Sequence, residues 1–278
     1  MRTVITFLHI PKTAGSTFIS ILRRNLRHGF LHVSHELLES PISGSNIEMW
    51  IRVNSHFRGL ASHRLTLDQP FHLRDVKYRC ICFVRDPIER IISEYFYLRK
   101  PGVVDALGWA KNARSAEEYL QRILEEPDRY VLGVDGQFRF ITWNTSLGLD
   151  DIRSLISEEK LFLFPMERFD DACLFLETAY ASLFRDTSYA RVNTNSAKST
   201  VSLSEDQTTR LRVAIMKDRA LYDMASQNIE EKIAHVFPDK NHFACAKRGL
   251  VRRCRQRERF VKPIQTICER VNNWIQRW

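Results

Sequence analysis

The sequence predicts an α/β protein in which helices cover both faces of a central, mainly parallel sheet. Apolar, β-branched runs at Thr3 to Ile10 and Arg79 to Val84 are each followed by a polar break and then by apolar residues at helical spacing. Strand and helix segments alternate along most of the chain, which is typical of parallel sheets. From residue 246 onward, an arginine-rich segment with apolar residues three and four apart predicts a basic amphipathic C-terminal helix.

The remaining elements follow from the same spacing arguments. The first strand leads into a helix over Ser16 to Leu26, and Arg79 to Val84 leads through Pro87, a favoured residue of a first helical turn, into a helix ending at Leu98. A strand is expected from Glu48 to Val53. Further helices are expected at Ala116 to Glu126, Gly133 to Trp143, Phe169 to Phe184 and Asp206 to Ala225, and a buried strand at Leu161 to Pro165.

Composition places the chain among ordinary globular proteins. Of its 278 residues, 44% are hydrophobic and 27% are charged, and no apolar run approaches the roughly 20 residues of a membrane span. The run before Pro11 lacks the features of a signal peptide. We expect cytoplasmic residence if Met1 is the natural start, and the Golgi lumen if a membrane anchor precedes this sequence.

The six cysteines do not form a metal or redox motif. Cys80 and Cys82 are spaced CxC within a predicted strand, and the others are scattered. Most are expected to be buried thiols, and a disulfide between cysteines of the tail stays open.

Positive charge is concentrated at the C-terminal end. The formal net charge is +9, and from Lys247 onward ten Lys or Arg face only Glu258 and Glu269, a surplus of eight. We therefore predict two parts, a catalytic domain over residues 1–245 and a basic amphipathic tail over residues 246–278.

The segment His9 to Phe18 (HIPKTAGSTF) lies between the first strand and the first helix. A loop in this place can direct backbone N–H groups, a lysine and small hydroxyls at one anion, aided by the helix dipole. The lysine precedes the glycine, so this is not a Walker A loop. The loop is P-loop-like and predicted to bind phosphate or sulfate. An ordinary turn with Ser16 or Thr17 as helix cap is the alternative.

Two motifs in order resemble one enzyme family. PKTAGST resembles the 5′-phosphosulfate loop of sulfotransferases that use 3′-phosphoadenosine 5′-phosphosulfate (PAPS), in the carbohydrate branch (family 2) with the heparan sulfate 2-O and 6-O sulfotransferases. The segment Arg85 to Tyr95 resembles that family's RDPxxRxxSxY element, and the resemblance spans residues 3–226. It implies metal-free sulfuryl transfer from PAPS to a hydroxyl, leaving adenosine 3′,5′-bisphosphate (PAP). The loop residues that it implies in cofactor binding are Lys12, Thr13, Ala14, Gly15, Ser16 and Thr17.

Arg85 and Ser93 are the candidate contacts of the second motif. Arg85 stands at the end of a predicted strand and Ser93 two turns along the following helix, so a guanidinium and a hydroxyl can converge on one phosphate. The resemblance implies that this phosphate is the 3′-phosphate of the cofactor. A local ion pair of Arg85 with Asp86 is the plainer alternative, and Arg90 is expected to be structural.

Sulfuryl transfer needs a base for the acceptor hydroxyl and positive charge at the leaving oxygen. Lys12 is predicted to supply the charge. His56, in the segment VNSHF beyond the predicted strand, resembles the family's GHF segment and is predicted to be the catalytic base. The competing histidines are His9, His32, His35 and His63, of which His63 would serve if the strand register shifts.

Three later segments resemble the same family less closely. The segments Gln137 to Phe140 and Phe164 to Phe169 resemble family segments that support the fold. Asn193 to Thr200 resembles a late loop that closes over the cofactor, which makes Lys198 a candidate phosphate contact. A solvated lysine would fit the same loop.

The sequence leaves the role of the tail open among several alternatives. An apolar stripe in the tail could pack on the catalytic domain or a second subunit, lie on an anionic membrane, or accompany a clamp for a sulfated glycan. The expected acceptor is a hydroxyl-bearing carbohydrate, and no nucleic acid is expected. The stripe comprises Phe260, Ile264, Ile267, Val271, Trp274 and Trp278.

Two other functions compete with sulfuryl transfer. A nucleotide-dependent kinase would need a magnesium site and a lysine at the end of the loop, neither of which the sequence shows. A non-catalytic binder of acidic glycans or nucleic acid would depend wholly on the basic tail, whereas a sulfotransferase would only change its affinity if the tail were removed.

Overall fold

A five-stranded, wholly parallel sheet forms the centre of the protein, in the order β2-β3-β1-β4-β5. The computed structural model describes residues 2–33, 41–130, 132–143, 145–190 and 203–275, with side chains as far as residue 261. The strands are β1 (Arg2–Leu8), β2 (Phe30–Val33), β3 (Gly59–Ser62), β4 (Val76–Val84) and β5 (Leu161–Pro165).

Helices connect the strands and follow the last of them. In chain order they are α1 (Gly15–Leu26), α2 (Gly44–Val53), α3 (Pro87–Leu98), α4 (Trp109–Asn112), α5 (Ala116–Glu125), α6 (Gly136–Ile141), α7 (Leu149–Ser157), α8 (Phe169–Ala179), α9 (Glu205–Ala214), α10 (Met216–Val236) and α11 (Lys240–Ile275).

Both faces of the sheet are buried, which is why its strands are almost continuously apolar. In β1, Ile5 and Phe7 point into one hydrophobic cluster with α1, α8 and α11, whereas Val4 and Leu8 point into a second cluster with α2 and α7. This alternation is the two-residue period of a strand. The predicted α/β class, with helices on both faces and a C-terminal helix, is confirmed.

A third cluster joins α3, α4, α5 and α9 beside the sheet. Helix α10 lies along the edge strand β5, where Asn228 donates a hydrogen bond from its side-chain amide to the carbonyl oxygen of Leu163 at 2.9 Å. Helix α10 therefore closes the β5 edge and brings its first turn toward α3.

The predicted strand over Glu48 to Val53 is wrong, since this segment belongs to α2. Ile47 and Ile51 are buried four residues apart, which is the period of a helix. Ser43 also accepts a hydrogen bond from the N–H of Asn46 while Asn46 accepts one from the N–H of Ser43, a reciprocal cap that fixes the helix start.

Two further features differ from expectation, the division of one helix and the presence of two short strands. The single helix expected over Asp206 to Ala225 is two helices that meet at Ile215, because Leu211 packs in the third cluster while Leu221 packs against the sheet. Strands β2 and β3 were not predicted, because four residues carry too little periodicity. The division at residue 245 falls inside α11, and the two-part organisation stays a prediction.

Three of the cysteines are buried thiols, as expected of most, and Cys245 is exposed. Among the residues that the structure describes, no three His, Cys, Asp or Glu side chains are grouped to hold a metal ion. None of the described helices combines the length and apolarity that crossing a membrane requires.

Candidate functional site

The candidate site lies at the carboxyl edge of the sheet, above β1 and β4. In open parallel sheets, ligands bind where neighbouring strands send their connections to opposite sides. Strand β1 connects toward β2 and β4 connects toward β5, so this point falls between β1 and β4. The loop that contains Lys12 follows β1, and Arg85 follows β4.

The loop after β1 has the backbone of an anion-binding nest. Lys12 and Ala14 both have positive φ, at 71° and 64°, while Thr13 between them does not, and an alternation of right- and left-handed residues turns consecutive N–H groups into one concavity. The N–H groups of Thr17 and Phe18 bond to the carbonyl oxygen of Ala14. Within the described part of the chain, no hydrogen bond uses the N–H groups of residues 14 to 16, the positions at which an anion would be held at the start of α1.

One hydroxyl side chain of the loop is buried and stabilises it, and two others are accessible to solvent. Thr13 is fully buried, and its hydroxyl donates to the carbonyl oxygen of Ile10 at 2.9 Å, so it braces the loop. Ser16 is exposed and Thr17 half-buried in the first turn of α1. Neither caps the helix with its side chain, so the alternative of an ordinary capped turn has no support.

Gly15 is required by the close approach of His9. A Cβ atom on Gly15 would lie 1.7 Å from His9 Nε2. The His9 ring is packed between Phe7 at 5.4 Å and His63 at 3.9 Å, centroid to centroid. Burial, together with His63, holds the pKa of His9 well below its ordinary value, so this ring is neutral at pH 7.

Arg85 is positioned through its backbone. The side-chain amide of Gln137 accepts a hydrogen bond from the N–H of Arg85 at 2.8 Å and donates one to its carbonyl oxygen at 2.9 Å. The guanidinium is 19% exposed and pairs with Glu89, which is 60% exposed, at 3.3 Å. Its Nε atom is buried with no partner among the described residues. Arg85 is therefore held at its base and retains unused donors.

The start of α10 secures the element that contains Arg85. Asp86 caps α3 by accepting hydrogen bonds from the N–H groups of Ile88 and Glu89, and it pairs with Arg219 at 2.9 Å. The carboxylate of Asp218 accepts hydrogen bonds from the first N–H groups of α6 at 3.1 and 2.7 Å. The local ion pair of Arg85 with Asp86, considered from the sequence, is thus replaced by two separate pairs.

One face of α3 lines the site. Glu89, Ser93 and Tyr97 are spaced by four residues and so share a face, which begins beside Arg85. Lys12 Nζ lies 3.9 Å from the ring centroid of Tyr97. The structure therefore brings Lys12, Arg85 and Ser93 together along one helix face. Arg90 points away from this face into a buried ion pair with Glu94 at 3.0 Å, the structural role expected of it.

The electrostatics of the site are those of an anion receptor. Burial and repulsion from Lys100 and Arg85 lower the pKa of Lys12 to about 8, although Glu94 opposes the shift. Cations that depress one another's pKa in this way are stabilised by any anion placed among them.

His56, which the sequence predicts to be the catalytic base, does not lie beside the loop after β1. His56 is exposed and follows α2, and it precedes β3, whose adjoining residue Arg58 accepts a hydrogen bond from the N–H of Ile5. The loop starts at His9, four residues further along β1, which is about 13 Å at the rise of a strand. His56 thus lies at the amino edge of the sheet, because the segment before it is a helix.

His63 takes the position that was expected of His56. It directly follows β3 at the carboxyl edge, and its Nδ1 lies 2.7 Å from the carbonyl oxygen of His9. Since a carbonyl oxygen only accepts, Nδ1 donates the proton and Nε2 is the basic nitrogen of the neutral ring. The run GLAS before His63 is fully buried, but its four residues are too few to show a strand period in the sequence.

The other histidines do not occupy this position. His9 is buried beneath the loop, and His32 in β2 bonds to Arg23 at 2.9 Å. His35 and Lys198 lie outside the described residues, so their predicted roles stay predictions. The sequence indicated only that Gln137 supports the fold. It did not predict the two hydrogen bonds of Gln137 to the backbone of Arg85.

A parallel sheet with such a loop after β1 and a cationic element after β4 is suited to binding a ligand by its anionic groups. A sequence model described as the sulfotransferase family matches residues 1–143, which is half of the chain. The chain belongs to the sulfotransferase family, so its reaction is the transfer of a sulfuryl group.

Solved structures and curated proteins add little to this. A sulfotransferase from Alicyclobacillus acidocaldarius is 14% identical with a TM-score of 0.43, covering 81% of this chain and 96% of that one. A mouse sulfotransferase in complex with PAP is 14% identical with a TM-score of 0.37, covering 92% and 88%. Similarities this remote carry no argument about the site. No curated protein matches the sequence.

Proposed function

We propose that the protein transfers a sulfuryl group from PAPS to a hydroxyl group of a carbohydrate acceptor, with His63 as the general base. The observation that carries the proposal is the anion-binding loop after β1. Around its left-handed residues Lys12 and Ala14, the N–H groups of residues 14 to 16 have no partner among the described residues, and they lie in the same loop as the cation of Lys12.

The residues fit an adenosine 3′-phosphate 5′-phosphosulfate. The loop from Lys12 to Thr17 would hold the 5′-phosphosulfate through backbone N–H groups and the dipole of α1. Arg85, with its unpartnered Nε, and Ser93, on the same face of α3, would hold the 3′-phosphate. Lys198 is proposed as a further phosphate contact on the resemblance alone.

When bound, PAPS supplies an activated sulfuryl group, and the protein supplies the proton acceptor and the charge. His63 Nε2 would take the proton of the acceptor hydroxyl, while the Nδ1–H group keeps donating its hydrogen bond to the carbonyl oxygen of His9. Lys12 would place its ammonium where negative charge develops. Because the pKa of Lys12 is about 8, most of this group is charged at pH 7.

Two observations support a carbohydrate as the acceptor. The loop and the RDP element resemble those of the carbohydrate branch, and the net charge of +9 favours an anionic partner.

The test is transfer of radiolabelled sulfate from PAPS to a panel of polysaccharides, glycolipids and small alcohols. We expect a carbohydrate to be the best acceptor. Replacing His63 with asparagine should lower kcat by about 10² to 10⁴-fold and leave PAP binding unchanged. Replacing His56 with asparagine is the matched control and should change kcat less than about twofold, because His56 lies at the opposite edge.

Two results would contradict the proposal. Loss of activity in His56→Asn with full activity in His63→Asn would restore the assignment made from sequence. Transfer to small alcohols but to no glycan in the panel would remove the carbohydrate acceptor.

A further inference from the structure

Helix α11 carries a single stripe of arginines on its outer face. Arg248, Arg252, Arg255 and Arg259 are all exposed and are spaced by four, three and four residues. Residues at this spacing share one face of a helix, and the four span roughly 16 Å at 1.5 Å per residue. We call these four residues the arginine stripe.

The opposite face of α11 is packed against the protein. Leu250 is fully buried in the cluster that contains α1 and α8, and Phe243, Ala246 and Cys254 are partly buried against it. The apolar side of this part of α11 is therefore occupied. A helix that lies on a membrane inserts its apolar face, so this part of α11 does not offer the surface that membrane binding uses.

Other basic residues of α11 are used for docking. Lys247 pairs with Asp171 at 2.6 Å, Arg253 with Glu177 at 2.6 Å, and Arg257 with Asp186 at 2.8 Å. These pairs fix the rotation of the helix about its axis.

The stripe itself has no such partners. None of its four guanidinium groups forms an ion pair with a carboxylate that the structure describes. Like charges one turn apart repel each other on a helix surface. The stripe therefore disfavours the folded protein slightly, and an anion laid along it would remove that cost.

The stripe begins on the carboxyl side of the sheet, the side on which the candidate site lies, and runs toward the amino edge. Helix α8 starts just after the carboxyl end of β5, and Lys247 meets Asp171 in its first turn. The next pairs, at Glu177 and then Asp186, lie progressively further along the chain after β5. Helix α11 thus runs beside α8 from the carboxyl edge of the sheet toward the amino edge, and the stripe runs along its outer side.

We propose that the arginine stripe binds a linear anionic polysaccharide. We propose further that this polysaccharide is the acceptor, so that binding of one segment at the stripe keeps the other end of the same molecule near the transfer site. This second statement rests on the proposed function. Arginine binds sulfate and carboxylate groups with paired N–H donors, which suits a chain of such groups. A DNA duplex fits less well, because a helix that reads the major groove must enter it, and α8 covers the inner side of α11.

The test measures binding of the full chain to fluorescent dextran sulfate as a function of salt. In the stripe variant all four arginines become glutamine. Each lost ionic contact lowers the magnitude of the slope of log affinity against log salt by about 0.7 for a single-stranded polyanion, so we expect the slope to fall by about three and the affinity at physiological salt to fall at least tenfold.

A matched control loses the same charge elsewhere. It replaces four exposed arginines outside α11 with glutamine, and it should bind dextran sulfate within about twofold of the unaltered protein. Equal losses in both variants would overturn the proposal, since net charge alone would then explain the binding. The control positions are Arg52, Arg114, Arg129 and Arg153.

Two further measurements distinguish a polysaccharide from other ligands of the stripe, and distinguish the polysaccharide site from the proposed sulfuryl transfer. Tighter binding to phosphatidylserine vesicles or to duplex DNA than to dextran sulfate, lost in the stripe variant, would overturn the polysaccharide. PAP-induced thermal stabilisation should be the same in both variants, because the stripe lies outside the cofactor site. If PAP fails to bind the unaltered protein while dextran sulfate binds through the stripe, the polysaccharide site stands and its link to transfer falls.

Discussion

Replacing Gly15 with alanine would place a methyl group inside the ring of His9. The added Cβ would lie 1.7 Å from His9 Nε2, whereas ordinary contacts start at 3.4 Å, so the ring would have to move by the difference between these distances. Phe7 and His63 stack on the ring, which leaves it no free side. Overpacking of a core typically costs about 1–3 kcal/mol, and we expect the upper end here.

The control is the same substitution at Gly249, in the middle of α11, where a Cβ meets nothing within 4 Å. Replacing a helical glycine with alanine at an open position stabilises by about 0.5–1 kcal/mol. The melting temperature should therefore rise slightly for Gly249→Ala and fall by about 6 to 10 °C for Gly15→Ala. Circular dichroism during heating and urea unfolding measure both changes.

A second change locates the cause. In the double variant with His9→Ala, the ring is gone and the methyl group has room, so the cost of Gly15→Ala should fall below about 1 kcal/mol. The reasoning is refuted if Gly15→Ala is as stable as Gly249→Ala, or if its cost is the same with and without the His9 ring.

Three further predictions concern charge. Glu89→Gln should tighten PAP binding about two- to fivefold by calorimetry, because the exposed carboxylate competes for Arg85; weaker binding would contradict this. Because the pKa of Lys12 is about 8, PAP affinity should fall as pH rises from 7 to 9.5, and Lys12→Arg should flatten that fall, since arginine keeps its charge; parallel profiles would contradict this. Burial raises the pKa of Asp218 to about 6. Because this pKa is raised in the folded protein, the stabilising effect of the protonated Asp218 is present below the unfolded pKa and is lost as pH rises through 6. The cost of Asp218→Asn in urea unfolding should therefore shrink by about 2 kcal/mol from pH 4 to pH 7; a cost that grows with pH would contradict this.

The sequence was sufficient for those parts of the fold that carry long or repeated signals. Strands β1 and β4 are apolar on both faces and end in polar breaks, and α1 and α3 show helical spacing directly afterwards. The loop after β1 and Arg85 after β4 could therefore be placed at one edge of the sheet before the structure was known.

The position of His56 in the fold was mispredicted because a short strand and a helix compete for the same residues. The segment before His56 has apolar residues that suit either structure, and only the cap at Ser43 and the burial of Ile47 and Ile51 settle it as a helix. Strand β3 has four residues, too few to show a period, so His63 could not be assigned to its end.

Contacts between distant segments were beyond the sequence altogether. Gln137 binds the backbone of Arg85, and Asp218 caps α6, over separations of 52 and about 80 residues. No local pattern encodes such pairs, because side-chain amides and carboxylates occur throughout the surface of most proteins. The arginine stripe could be recognised only from the structure, which shows that Lys247, Arg253 and Arg257 of the same helix form ion pairs with the rest of the protein.

The measurement that tests the central claim most directly is the melting temperature of the purified chain titrated with PAP, and separately with ATP and magnesium. A ligand that binds only the folded state stabilises it by about 2.7 kcal/mol at a concentration of 100 Kd. The structure predicts a clear rise with PAP that is lost in Arg85→Ala, is kept in Arg153→Ala, and is not reproduced by ATP with magnesium. A rise with ATP and magnesium and none with PAP would contradict the assignment of the loop and of Arg85 to PAPS.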